Sequence, residues 1–283
     1  MFPLLINLLT FLFLLPLASA IPTQAQTHTP ETLPEVVGGH RRGVAYNDEK
    51  LTWLFNQGSN FKTSWMYNWD SSDNREGAQP WFEYSPMLWN DVPGAIRSFK
   101  AGAEKQWRQF NGYMHVLSFN EPDLCVPGAG ASCIPIDTAV RVHREVIDPL
   151  RTWGEKMYIG SPAVSNAAAP AGLAYLADFL NKCAGCQIDF LCVHWYNDAS
   201  NFEGLKWHIG EVRKISGGRP IWITEFGVTG TDDQIIAFFR QALPWLDSQP
   251  DIHRYAYLMA KPGKLVNLQG TGLSALGQVY NTL

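Results

Sequence analysis

From Gly39 onward, short apolar runs rich in β-branched and aromatic residues alternate with segments whose apolar positions recur every three or four residues. The runs have strand length: RGVAYN (42–47), KTSWMYNW (62–69), FEYSPMLW (82–89) and HVLSFNE (115–121), then MYIGSPAV (157–164), DFLCVHWY (189–196), PIWITEFG (220–227) and RYAYLMA (254–260). Helical periodicity marks 136–154, 172–183, 202–218 and 231–248. Asp137 is placed to cap the first of these, Gly217 and Gly218 stop the third, and Thr231 with two acids suits the N-terminus of the fourth. Asp148-Pro149 and Leu243-Pro244 predict a kink or an early end inside two helices. Eight strands joined by crossover helices predict an α/β fold, a single-domain (β/α)8 TIM barrel over 39–283. An open doubly wound sheet is the alternative, but the loop after the first run, YNDEK, lacks the glycines that fold places there.

In such barrels the chemistry sits at the C-terminal ends of the strands. The fourth run ends on Glu121, followed by Pro122, which cannot continue a ladder. The seventh closes on Glu225, three β/α units away and therefore across the barrel mouth. One acid at a strand end reads equally as a solvated terminus or half of an ion pair. Two of them facing each other are what glycoside hydrolysis requires, one protonated for the leaving oxygen and one ionised toward the anomeric carbon.

The neighbouring residues extend that reading. Asn120 is placed to hydrogen-bond a sugar 2-hydroxyl, or else satisfies the turn. His194 and Tyr196 share one strand face, with Trp195 turned to the helices. Tyr196 is then placed to hold Glu225 ionised, and His194 to touch sugar or acid. Tyr67 and Trp69 share a face at the end of the second strand, Asn68 stands at its turn, and Trp89 ends the third. These are expected either to form a stacking floor for sugar rings or to pack as core. Trp53, Trp107, Trp153, Trp207 and Trp245 fall on helical segments and are expected in the core, and Trp222, of opposite parity to Glu225, is expected to face outward.

A net charge of −4 with no basic run argues against nucleic acid and anionic membrane surfaces as partners. Residues 1–20, an apolar run ending Ala18-Ser19-Ala20, read as a secretory signal although no Lys or Arg precedes the run. Residues 21–38, rich in Thr and Pro, read as a flexible leader. An exported, secreted protein free of the membrane after signal cleavage is expected. In that compartment the Cys125/Cys133 and Cys183/Cys186 pairs are most simply disulfides, with Cys192 free and buried. The chain contains no N-glycosylation sequon.

The series RRGVAYN, SWMYNW, PMLW, FNEPD, SPAV, DFLCVHWY and PIWITEFG resembles the motif order of the glycosyl hydrolase catalytic core family, glycoside hydrolase family 128, from about Arg42 to Ala260. The resemblance implies cleavage of β-1,3-glucan, with Glu121 as acid/base, Glu225 as nucleophile, and no metal or other cofactor. The chain departs from the pattern in strand eight, where Leu258 and Met259 stand in place of an aromatic residue. The alternatives are a non-catalytic or weakly catalytic β-glucan-binding wall protein on the same barrel, and a hydrolase of another β-glycan. Endo or exo action and transglycosylation are left open, and a monomer is the default expectation.

Overall fold

The computed structural model describes residues 40–73 and 82–283. The expected signal peptide and leader lie outside the described residues. All eight predicted runs contribute strands: β1 (Arg42–Tyr46), β2 (Thr63–Tyr67), β3 (Glu83–Tyr84), β4 (Met114–Val116), β5 (Met157–Ile159), β6 (Leu191–Asp198), β7 (Ile221–Thr229) and β8 (Ile252–Ala260). Six of them pair in the order β3-β2-β1-β8-β7-β6, and β4 pairs with β5. Every strand pair is parallel. Single parallel bridges, Met87 to Leu117 and Gly160 to Phe190, join the β4–β5 pair to the two margins of the larger sheet. Neighbours therefore follow chain order around a ring, the (β/α)8 arrangement.

The helices are α1 (Pro93–Gln109), α2 (Ile136–Val142), α3 (Leu173–Lys182), α4 (Phe202–Ser216), α5 (Asp232–Ser248) and α6 (Ala275–Thr282). α1 and α6 went unread in the sequence. β1 is followed by a 3-10 turn, Glu49–Asn56, and the described residues between β2 and β3 contain no helix. None of the described helices is long and apolar enough to cross a membrane.

The predicted 136–154 helix divides as its proline suggests. α2 gives way to a π segment, His143–Ile147, and then to a 3-10 segment from Asp148 with Pro149 in its first turn. Its cap differs from expectation: Pro135 stands at the N-cap position and Asp137 lies within the first turn. Pro244, by contrast, leaves α5 unbroken. Leu243 and Leu246 beside it are fully buried, and that packing outweighs one missing backbone bond. Thr231 and Gln234 close a capping box on α5, and Gly217 ends α4 in the left-handed conformation.

Two apolar cores fill the layer between strands and helices. Trp195 faces that layer as expected, its ring stacked on Phe238 of α5 at 6.0 Å. Trp107, Trp153 and Trp245 pack against the cores, but Trp53 and Trp207 are 52% and 67% exposed, contrary to the expectation of core positions. Helical periodicity places a residue on a face without saying how far the neighbouring helices cover it.

Inside the ring the packing is aromatic and charged rather than aliphatic. Trp65 of β2 and Trp222 of β7 meet at 5.2 Å, and Arg254 of β8 lies over the Trp222 ring at 4.4 Å. Gly43 of β1 makes room, since a Cβ there would stand 2.3 Å from the Trp65 indole. Trp222 thus points inward, not outward. Val193 and His194 of β6 are paired with Ile223 and Glu225 of β7, so Thr224 is an extra residue that resets the alternation between Trp222 and Glu225.

Arg254 pairs with Glu83 of β3, and Nδ1 of His115 on β4 lies 2.6 Å from the same carboxylate. Burial pushes the Glu83 carboxyl up, but Arg254 and His115 override it and hold it at about 2. Burial holds His115 below its ordinary value, so the cluster is one cation, one anion and a neutral donor. Glu83→Gln should destabilise the fold by about 3–5 kcal/mol at neutral pH, because it strands Arg254. The depressed carboxyl contributes stability above its unfolded value of 4.5, and that contribution fades as pH falls toward 2. Thermal unfolding of both proteins should show the gap between them shrinking across that window.

Candidate active site

Glu121 lies five residues beyond β4, and Glu225 lies within β7, which runs four residues past it to Thr229 instead of closing there as the sequence suggested. Both face one cavity of about 460 Å³. The chain takes a positive φ of 42° at Glu121, directly before Pro122, where the ladder has to stop. The Glu121 N–H donates to the Ala163 carbonyl at 2.7 Å, anchoring the acid across to the segment after β5. Glu225 reaches the same cavity because of the extra residue Thr224. The two carboxylates and His194 each present a ligand atom within 4.8 Å of the others. Both acids are nearly buried, at 8% and 7% exposure, which makes their mutual placement costly unless donors surround them.

Those donors are present. His194 Nδ1 lies 2.9 Å from Glu121 Oε1 and 3.6 Å from Glu225 Oε2, bridging the pair. The Trp69 indole N–H donates to Glu225 Oε1 at 2.7 Å, and the Tyr196 hydroxyl donates to Oε2. Burial, with the Glu225 charge adding to it, pushes the Tyr196 phenol far above its ordinary range, so it remains a donor. For His194, burial is the largest single influence and pulls downward. The charges of Glu225 and Glu121 and the bond to Glu121 together prevail, and the pKa is raised above 6.5.

The other predicted residues divide. Trp69, at φ 60°, is half-buried, and its indole N–H meets Glu225. Tyr67 is fully buried and donates to the Thr224 carbonyl at 2.8 Å, so its ring offers no stacking surface. Its role is to hold the carbonyl of the extra residue that turns Glu225 inward. Asn68 serves its own turn, donating to Ser72 O and accepting from Asp70 N–H and the Tyr84 hydroxyl. Trp89, five residues beyond β3, is half-buried, and its carbonyl accepts from Asn120 N–H at 3.1 Å. Asn120 Nδ2 donates to Gly130 O at 3.0 Å while Oδ1 is buried with no partner.

The loop that carries Gly130 is closed by the Cys125–Cys133 disulfide, and its Leu124 and Ala129 wall the cavity. Cys183–Cys186 is the second disulfide, and Cys192 is free and buried, as the spacing suggested. Leu258 of β8, noted as the departure from the aromatic pattern, lines the cavity opposite. Sequence reasoning passed over Ser165 and Asn166, which also line it. They follow the fifth strand run, so the rule that singled out Glu121 applies to them too.

Glu121, His194 and Glu225 form the group among the described residues that is compact enough to hold a metal ion. A metal would require Nδ1 to give up its proton, whereas the two carboxylates favour the protonated ring. The donor set fits a proton-bridged pair of acids better than a cation site.

Two acids opposed over a cavity at the mouth of an eight-stranded ring are the arrangement of a barrel glycoside hydrolase. The chain belongs to the glycosyl hydrolase catalytic core family, whose model matches residues 43–280. A crystal structure of a curdlan-specific exo-β-1,3-glucanase of family 128, subgroup III, from Blastomyces gilchristii in complex with glucose is 34% identical. The alignment covers 88% of this chain and 100% of that one, with a TM-score of 0.74. A family 128, subgroup VII, oligosaccharide-binding protein from Trichoderma gamsii shares the fold at 20% identity and TM-score 0.66, over 87% of this chain and 94% of that one. Alkali-sensitive linkage protein 1 of Schizosaccharomyces pombe (strain 972 / ATCC 24843) is 32% identical over 237 residues, 77% of this chain and 40% of the relative. The chain thus spans well under half the length of that curated relative.

A raised His194 pKa makes a stability contribution that is complete below its unfolded value of 6.5 and is lost as pH rises through the folded value. Wild type should therefore lose thermal stability between about pH 6 and about pH 9 more steeply than His194→Gln. Parallel melting curves over that range would count against the bridged arrangement.

Proposed function

We propose that the protein is a secreted retaining glycoside hydrolase that cleaves β-1,3-glucan, with Glu121 as acid/base and Glu225 as nucleophile. The observation that carries this reading is the approach of the two carboxylates to within 4.8 Å over one cavity. Retaining enzymes hold their carboxyl groups about 5 Å apart, whereas inverting enzymes need roughly 6.5–9.5 Å to admit water between acid and sugar. In the first step Glu225 attacks the anomeric carbon while Glu121 gives its proton to the departing oxygen. In the second, Glu121 takes a proton from water, which displaces the sugar from Glu225. Trp69 and Tyr196 each donate to a different Glu225 oxygen and so favour its ionised, attacking form.

β-1,3-Glucan as substrate is supported by the family and by the glucanase of Blastomyces gilchristii, which matches over nearly the whole of the described chain. The N-terminal signal-like segment supports export to the cell wall or medium. No cofactor enters the mechanism.

Oligosaccharide binding with little turnover is the competing reading, since the same barrel occurs in a protein of that description. Two nearly buried acids at this separation favour hydrolysis. Placing like charges together out of water is costly, and a neutral sugar needs no such pair to be bound.

Reducing-sugar release from laminarin, curdlan and other β-glycans tests both the activity and the sugar. Glu225→Gln should abolish release. Glu121→Gln should lower it on polysaccharide by about 10²–10⁴-fold but spare aryl glycosides with very good leaving groups. A 2-fluoroglycoside should label Glu225. Binding of laminari-oligosaccharides without release of sugar by wild type would move the protein to the binding class.

A further inference from the structure

The segment after β5, residues 165–172, makes hydrogen bonds that the two-acid mechanism leaves unused. Asn166 lines the cavity, yet its amide is committed to the backbone of one neighbour. Its Nδ2 donates to the Tyr196 carbonyl at 3.0 Å, and its Oδ1 accepts from the Tyr196 N–H at 3.1 Å. Backbone pairing along this margin runs as far as Val164, which bridges Val193 and accepts from His194 N–H at 2.8 Å. Asn166 therefore adds one more rung with its side chain, at the residue whose hydroxyl meets Glu225.

Asn166 is itself held. The Asp123 carboxylate, two residues beyond Glu121, accepts from Ser165 N–H at 3.1 Å, Ser165 Oγ at 2.6 Å and Gly172 N–H at 2.8 Å. Gly172 closes the segment at φ 57°, where a Cβ would stand 2.2 Å from the Ala167 carbonyl oxygen. On its other side the Tyr196 ring lies against Gly227 of β7, where a Cβ would come within 2.8 Å of the ring. The ring and hydroxyl of Tyr196 are thus fixed from β7 and its backbone from the segment after β5.

We propose that Asn166 is a positioning residue, which through the Tyr196 backbone aims the phenol at Glu225, and that Asp123 is the anchor holding this strap in register with the acid strand. The proposal rests on the hydrolytic reading above and assigns Asn166 no contact with the sugar.

A double-mutant cycle in laminarin hydrolysis tests it, with Asn166→Ala and Tyr196→Phe made singly and together. Asn166→Ala should lower kcat by about ten- to a hundred-fold with KM nearly unchanged, as expected when a reacting group is displaced slightly. In the Tyr196→Phe background the same change should cost less than about two-fold, because residues that act through one contact are not additive. Asp123→Asn, which loosens the strap without touching Asn166, should lower kcat in the same direction and guards against a misfolded first variant, with melting temperature checked for each. Additive losses in the cycle, or a rise in KM with kcat unchanged, would overturn the proposal and make Asn166 a direct sugar contact. No sugar release by wild type would remove the hydrolytic reading and this one together, whereas an active wild type with an additive cycle removes only this one.

Discussion

The site depends on a single electrostatic constraint: two carboxylates that are almost wholly out of water and within 4.8 Å of each other. Left alone they would repel, and at least one would be forced to take up a proton. His194 stands between them with Nδ1 in reach of both, supplying the positive charge or the proton that permits the approach. Trp69 and Tyr196 add donors on the Glu225 side alone, so the environment of the two acids is unequal. That inequality is what a division of labour between a proton donor and a nucleophile requires.

Keeping three ionisable groups in such a geometry demands a backbone that does not yield. Glu121 and Trp69 both adopt positive φ, a conformation L-residues avoid unless their surroundings enforce it. The extra residue Thr224 turns Glu225 into the mouth, and its carbonyl is held by the fully buried Tyr67. Beneath this floor the ring is filled by Trp65, Trp222 and the Arg254–Glu83–His115 cluster. Flat rings stack against the guanidinium, and a neutralised charge cluster can relax only by losing several contacts at once. The departures from regular strand geometry at the mouth thus sit on a layer that resists rearrangement.

The cavity is also shaped by loops that belong to the chain's own sequence rather than to the barrel plan. The disulfide-closed loop after β4 brings Leu124 and Ala129 to one wall, and its Gly130 carbonyl accepts a hydrogen bond from the Asn120 amide. Leu258 contributes an aliphatic surface on the β8 side. Differences in such walls are how a common pair of acids is put to different glycans, or to binding without turnover.

Eight strands, their parallel order and the two acids were all legible from local pattern, because each depends on residues adjacent in the chain. Alternation reveals a strand, and proline after Glu121 reveals its end. The same alternation misplaced Trp222, since one inserted residue inverts parity and only pairing with β6 exposes it. It likewise could not tell that Trp69 would present an N–H to Glu225 or that Trp53 and Trp207 would stand in solvent. Sequence by itself thus determined which residues could reach the barrel mouth. Tertiary structure alone decided which atoms of those residues face one another, because a hydrogen bond between Glu121 and His194, or between Asn166 and Tyr196, is set by the closure of strands distant in the chain and not by any local preference.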